Sequence, residues 1–437
     1  MSASSQSSGA QYDVAIAELA LWRNPIHILD EATENDPEFV MGHIFKAHMD
    51  MVSTDRRYSD IATGRLKTIS RLIASKNCQP REKAHFEALK LWHSGDWFAA
   101  SRALDQLQND FPTDMLALWM GHQLDFYLGE SNNIRDRIAR ALPMWDKNHP
   151  LYSLVEGMYA FGLEEAGESE KAKDIGLQAL EKDCRDVWSI HAVAHAVEML
   201  GDFNYGADFM ENRIQDWTSD NFLTSHNAIH TILYRLEQGD LERCIFHFDS
   251  FVLPENGKPA LLGLVDGSSA LWRLFLDGID TGDRWATLAS QWEPTAEQAF
   301  YAFNDVHAMM AFVASGNSDA THRMLKALET YLANDANRSE TNYAVTAEVG
   351  LPICCALQAF GAGKYTEVLD GLVPIRDQII RFGGSHAQRD VIERTILEAA
   401  IRANAKTLAD NLIHQRLSKR PNSTYNLQNR DRVAQMH

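Results

Sequence analysis

Glycine followed by an acidic residue punctuates this chain at regular intervals. The pairs are Gly95-Asp96, Gly129-Glu130, Gly167-Glu168, Gly201-Asp202 and Gly239-Asp240, spaced 34, 38, 34 and 38 residues apart. Gly278, Gly316-Asn317 and Gly363-Lys364 continue the series less strictly. Large apolar residues at helical spacing precede the glycines, as in MLALWMGHQLDFYL, and a second helical stretch follows, as in WFAASRALDQL or KAKDIGLQAL. A glycine stops a helix by turning left-handed at little cost. An acidic residue just after it meets the positive end of the next helix. The pattern therefore predicts helix–turn–helix units of 34 to 38 residues.

That length is the tetratricopeptide period. No sustained alternating run of β-formers competes with it. The expected fold is all-α: a tetratricopeptide-like helical-hairpin solenoid with a concave groove, over residues 11–416 as a single domain. Residues 1–10 (MSASSQSSGA) are small and polar and are expected to be disordered, and residues 417–437 to form a loose tail. Residues 250–267, with Pro254, Gly257, Pro259, Gly263 and Gly267, read as a long loop interrupting the array. RFGGSHAQRD, residues 381–390, is a second punctuated segment.

Charge and cysteine content narrow the setting. The formal net charge is −19. Nucleic acid is not an expected partner, because its binding relies on Lys and Arg to neutralise phosphates. The same sign disfavours anionic membrane surfaces, and no apolar run of membrane-spanning length is expected. The five cysteines, Cys78, Cys184, Cys244, Cys354 and Cys355, form no CxxC pair. They suit a reducing, cytoplasmic setting rather than a disulfide framework.

Two histidine pairs carry the chemical signal: His191 with His195 in HAVAH, and His226 with His230 in HNAIH. At i, i+4 spacing both rings of a pair share one helical face. His191, His195 and Glu198 lie ten, six and three residues before Gly201; His226 and His230 lie thirteen and nine before Gly239. These offsets put both pairs on the first helices of successive units, facing one groove. His307 repeats the offset of His230, nine residues before Gly316. Asp305 lies two residues earlier and points differently on a regular helix. His85 repeats the offset of His191 but has no paired histidine.

Neutral imidazoles bind divalent transition metals, zinc or iron foremost. A catalytic metal commonly takes three protein ligands and keeps one position open. His191, His195, His226 and His230 are the expected ligands, with Glu198, His307 and Asp305 as candidate catalytic groups. HxxxHxxE is not the HExxH arrangement, since no glutamate follows His191. A structural cluster and a metal-free acid–base pocket remain as alternatives. Arg273, beside the 250–267 segment, and His386 with Arg389, in GGSHAQRD, are candidates for holding an anionic substrate group. Trp272 reads as core, and Ser385 as a helix cap. No phosphate-binding glycine loop and no GxSxG elbow occurs.

WSIHAVAHAVEMLGD, the Trp217 region, HNAIHTILYRLEQGD with Phe248-Asp249, DGSSALWRLFLDG, FNDVHAM and GGSHAQRD resemble the tetratricopeptide repeat protein 38 family. The motifs span residues 187–391. The resemblance implies an all-α tetratricopeptide-like solenoid and assigns no activity. Its motifs include His191, His195, Glu198, His226, His230, Asp305, His307, His386 and Arg389. Ile229 departs from it, standing where an aromatic residue precedes the second histidine of the pair.

The expected function is that of a metal-dependent enzyme, with hydrolysis as the reaction class, acting on a small polar or anionic substrate in the groove. The alternative is a non-catalytic scaffold binding a peptide or protein partner. A homo-oligomer is compatible with either.

Overall fold

The structure, a computed structural model, describes residues 6–75, 77–255, 257 and 259–436. It is all-α, with no strand among the described residues. Consecutive helices pack against each other as hairpins. Examples are Pro80–His93 with Trp97–Asp110, Tyr152–Glu165 with Ser169–Lys182, and Ala302–Ala314 with Ser318–Ala333.

The punctuation works as its chemistry predicts. Gly201 and Gly239 take φ of 75° and 73°, and the other glycines of the series are left-handed too. The acidic residues do more than favour the dipole. Asp96, Asp202 and Asp240 are N-caps, accepting from the backbone N–H of Ala99, Tyr205 and Arg243. Asn317 caps Ala320 in the same way. A further hairpin, His386–Arg402 with Lys406–Lys419, turns through Asn404 at φ 54° instead of a glycine.

The chain divides into two compact units. The first comprises the chain up to Val193 with Asp216–Leu223 and Ser339–Thr341; the second comprises Ala194–Gln215, Thr224–Arg338 and the chain from Asn342. The boundary falls inside the helix Val187–Leu200, which is one continuous element. In the first unit, Trp22 stacks on Trp188, with ring centroids 4.5 Å apart. In the second, Trp272 and Trp292 are fully buried, their indole N–H groups donating to Thr395 and Ser268. Trp272 is thus core, as expected.

Three expectations about irregular segments are corrected. The segment 250–267 is not one long loop: a π-helical turn covers Phe248–Val252 and a helix covers Leu261–Leu276. The apolar period of LLGLVDGSSALWRLFL outweighs the two glycines, each costing about 1 kcal/mol in a helix. Gly267 also earns its place through packing, since a Cβ there would meet Leu288 at 3.1 Å. The tail is not loose: Thr424–Ala434 is a helix with Asn426 and Val433 fully buried. At the other end, Gln6–Ala20 is a helix, and residues 1–5 lie outside the described residues.

One helical segment, Thr341–Gly361, is long and apolar enough to cross a membrane, with mean hydropathy 1.4; half of it is buried in the fold. This qualifies the expectation that no such run occurs.

Candidate metal centre

Five helices carry the residues of interest: Val187–Leu200 (HAVAH), Thr224–Gln238 (HNAIH), Leu261–Leu276, Ala302–Ala314 and His386–Arg402. The HNAIH helix packs on Leu261–Leu276, which packs in turn on Ala302–Ala314 and His386–Arg402.

Three of the four histidines meet within the second unit. His195, His226 and His230 each offer a ring nitrogen, and these atoms all lie within 4.8 Å of one another; His191 stands one turn before His195 on the same helix. The rings of His195 and His230 are 4.4 Å apart at their centroids, and those of His226 and His230 are 5.2 Å apart. All four residues are buried, none more than 3% exposed. Buried histidine groups of this kind can hold a metal ion.

One histidine is oriented by a carboxylate. His226 Nδ1 donates to Oδ1 of Asp266 at 2.8 Å, and Asp266 also accepts from the Ser225 hydroxyl at 3.1 Å. A carboxylate can only accept here, so Nδ1 carries a ring proton, and in the neutral ring Nε2 carries the lone pair. Metal-binding histidines commonly have such a partner. His230 stays neutral for another reason. Burial pushes its pKa well below the usual value, and the neighbouring rings of His195, His226 and His386 add to the shift.

Glu198 lies at the edge of this group. Its Oε1 accepts from Arg420 at 2.8 Å, while Oε2 stands 3.9 Å from His230 Nδ1. Oε2 has no hydrogen-bond partner among the described residues. His386 joins from the start of its helix, its ring 5.3 Å from that of His195 and edge-on to it. Ser385 caps that helix in a capping box with Gln388, following the left-handed Gly383 and Gly384.

The remaining candidates divide. His307 is fully buried and donates from Nδ1 to the Phe303 carbonyl at 2.8 Å, so its Nε2 is the acceptor; no described group partners it. Burial lowers its pKa to about 4, with a smaller push from Arg273. Asp305 is buried too, but its charge is felt by Cys354. Neither residue belongs to a metal-binding group among the described residues. Arg273 is 1% exposed and ties its helix to the Ala387 carbonyl at 2.8 Å. Arg389 is partly buried and donates to the Gly384 carbonyl, bracing the double-glycine turn.

Sequence reasoning did not assign Asp266 as the partner of His226 or Arg420 as that of Glu198. The spacing of Asp266, Ser269 and Arg273 at i, i+3 and i+7, one polar stripe on an apolar helix, is a signal that marks the first. Arg420 carries no comparable signal, because it lies 222 residues from Glu198.

His85 was expected to have no paired histidine, and this is corrected: a histidine on another helix is its partner. In the first unit, His48 Nε2 lies 3.1 Å from His85 Nδ1, and His85 Nε2 lies 3.0 Å from Asp114 Oδ2. Asp114 also caps the helix Met115–Tyr127 and pairs with Arg81. The relay is buried and, among the described residues, contains two histidines.

No protein-family model matches this chain.

Proposed function

We propose that this protein is a metal-dependent enzyme, with His191, His195, His226 and His230 as the ligand set and a small polar molecule as substrate. The convergence of the buried imidazoles of His195, His226 and His230 within 4.8 Å, with His191 one turn away on the helix of His195, carries this reading. Zinc or iron suits a site of neutral imidazoles without thiolate. Such an ion supplies Lewis acidity to a water or a substrate oxygen, and hydrolysis is the reaction class this favours.

The chain's own residues have separable tasks. Asp266 fixes the tautomer of His226. Burial keeps His230 neutral, and therefore able to ligate, below ordinary histidine pH. Glu198, held at one oxygen by Arg420, keeps the other for a proton during reaction. His386, half-buried with its ring 5.3 Å from that of His195, is the candidate substrate contact beside the cluster. His307 presents a neutral acceptor nitrogen and serves as an alternative base. Asp305 has less support, because its field acts on Cys354. The burial of the four histidines weighs against a peptide-binding groove, which needs them exposed.

Kinship with the tetratricopeptide repeat protein 38 family belongs to the same proposal, supported by the hairpin architecture and the quoted motifs. A cytoplasmic setting is supported by five free cysteines, three of them buried.

Metal analysis of the purified protein is the test. Near-stoichiometric zinc or iron, lost in a His191→Ala/His226→Ala double variant with an unchanged helical circular-dichroism spectrum, supports the reading. Metal-free protein with no measurable affinity for zinc, iron, nickel or manganese overturns it.

A further inference from the structure

Among the described residues, no carboxylate forms an ion pair with the buried Arg273. Its Nη1 donates to the carbonyl oxygen of Ser269 at 2.8 Å and to the Ser269 hydroxyl, and Nη2 donates to the carbonyl of Ala387 at 2.8 Å. All three acceptors are neutral. A guanidinium has five N–H donors, so two remain, and one of them is on Nε, which has no partner among the described residues.

The acids that stabilise its charge are committed elsewhere. Asp390 is bound by Arg394 at 2.9 Å and Arg416 at 2.7 Å, and Glu198 by Arg420 at 2.8 Å. Burial, with the fields of Arg394 and Arg420, draws the pKa of Arg273 down to about 10. It stays protonated at neutral pH, at 1% exposure, in a chain of net charge −19. An arginine placed there only to join two helices has no need to lack a carboxylate, since acids are plentiful in this chain. Burying a charge without a partner is costly, and a bound anion removes that cost.

The position of Arg273 links it to the histidines. It lies seven residues, two helical turns, after Asp266 on the same helix, so the two share a face with Ser269 between them. Asp266 holds His226, and the carbonyl taken by Arg273 belongs to the residue after His386. The charge of Arg273 is felt at both His230 and His307.

We infer that Arg273 is the anchor of an oxyanion subsite beside the histidine cluster, and that the substrate is a small molecule bearing a carboxylate or phosphate group. The two remaining N–H donors suit an oxygen acceptor of this kind, and complete burial leaves no surface for a macromolecule. The identity of the anion as substrate rests on the enzyme reading above; the subsite itself does not.

The test uses full-length protein stripped of metal, so that it reads the subsite whether or not a metal binds. Thermal unfolding is followed against inorganic phosphate and, separately, malonate, with chloride at matched ionic strength as control. The expected result is a saturable rise in midpoint with one or both oxyanions, lost in Arg273→Met. Phosphate alone points to a phosphorylated substrate, malonate alone to a carboxylic acid. A rise that never saturates is the general salting effect of such ions; that result, or an equal rise in Arg273→Met, overturns the proposal. Should Arg273→Met fail to fold, Arg273→Lys is the reading. It keeps the charge but not the fork, and oxyanion binding at least tenfold weaker supports the subsite, whereas unchanged affinity overturns it. Absence of metal in the wild-type protein defeats the enzyme reading while leaving this outcome readable.

Discussion

His226 Nδ1 and Asp266 Oδ1 are 2.8 Å apart, joining the HNAIH helix to the helix that follows the shortened loop. The bond makes Nε2 of His226 the lone-pair nitrogen. Asp266→Asn weakens that control, because an amide can present either a donor or an acceptor to the ring. Metal affinity is expected to fall about 10- to 100-fold, as for other partners of metal-binding histidines. Competition with a chromogenic chelator measures this, and an unchanged affinity would exclude Asp266 from the metal's supporting shell.

Acid should destabilise the second unit before its carboxylates titrate. His307 and His230 have folded pKa values below their unfolded value, the first at about 4. Their contribution is therefore complete above the unfolded pKa of about 6.5 and is lost as pH falls towards the folded value. For His307 the loss from pH 6.5 to 4 is about 3 kcal/mol. Urea midpoints measured across this range should decline with acid, and the decline should be shallower in His307→Gln.

Glu198 and Arg420 form a largely buried pair at 2.8 Å. Arg420→Met leaves the carboxylate buried without its cation and should cost about 3 kcal/mol of stability. Glu198→Gln combined with Arg420→Met should recover much of that loss. A double-mutant cycle in urea gives the coupling; additive losses would show that the pair contributes little.

The C-terminal helix is structural. Glu237 accepts from the Ser423 hydroxyl at 2.8 Å and from the Tyr425 N–H at 3.1 Å, and Arg394 lies 3.8 Å over the Tyr425 ring. Val433→Ala should cost about 2 kcal/mol, since the side chain is fully buried. Removal of residues 421–437 should lower stability by more than that. Equal unfolding midpoints for the truncated and full chains would restore the view of this segment as a loose tail.

The helical hairpins were legible because their signals are local. Left-handed glycines and the capping carboxylates act within one turn of their own position, so Gly201-Asp202 and Gly239-Asp240 locate hairpins without any knowledge of packing. The i, i+4 spacing likewise placed each histidine pair on one face, and the offsets from the glycines matched the pairs across neighbouring units. Local signals failed where packing outweighed them. Gly263 and Gly267 suggested a loop, yet they lie in a helix in which Gly267 fits against Leu288. The polar composition of the tail concealed the spacing that buries Tyr425, Asn429 and Val433.

The amino-acid sequence by itself determined the helices, their turns and the residue types that can bind a metal, because these depend on neighbours a few positions apart. Only the tertiary structure decided which charges answer one another. Asp266 meets His226 across 40 residues, Arg420 meets Glu198 across 222, and Arg273 reaches a carbonyl 114 residues away without pairing with a carboxylate among the described residues. Electrostatic partners are chosen by distance and burial in space, and helical period carries no record of that choice.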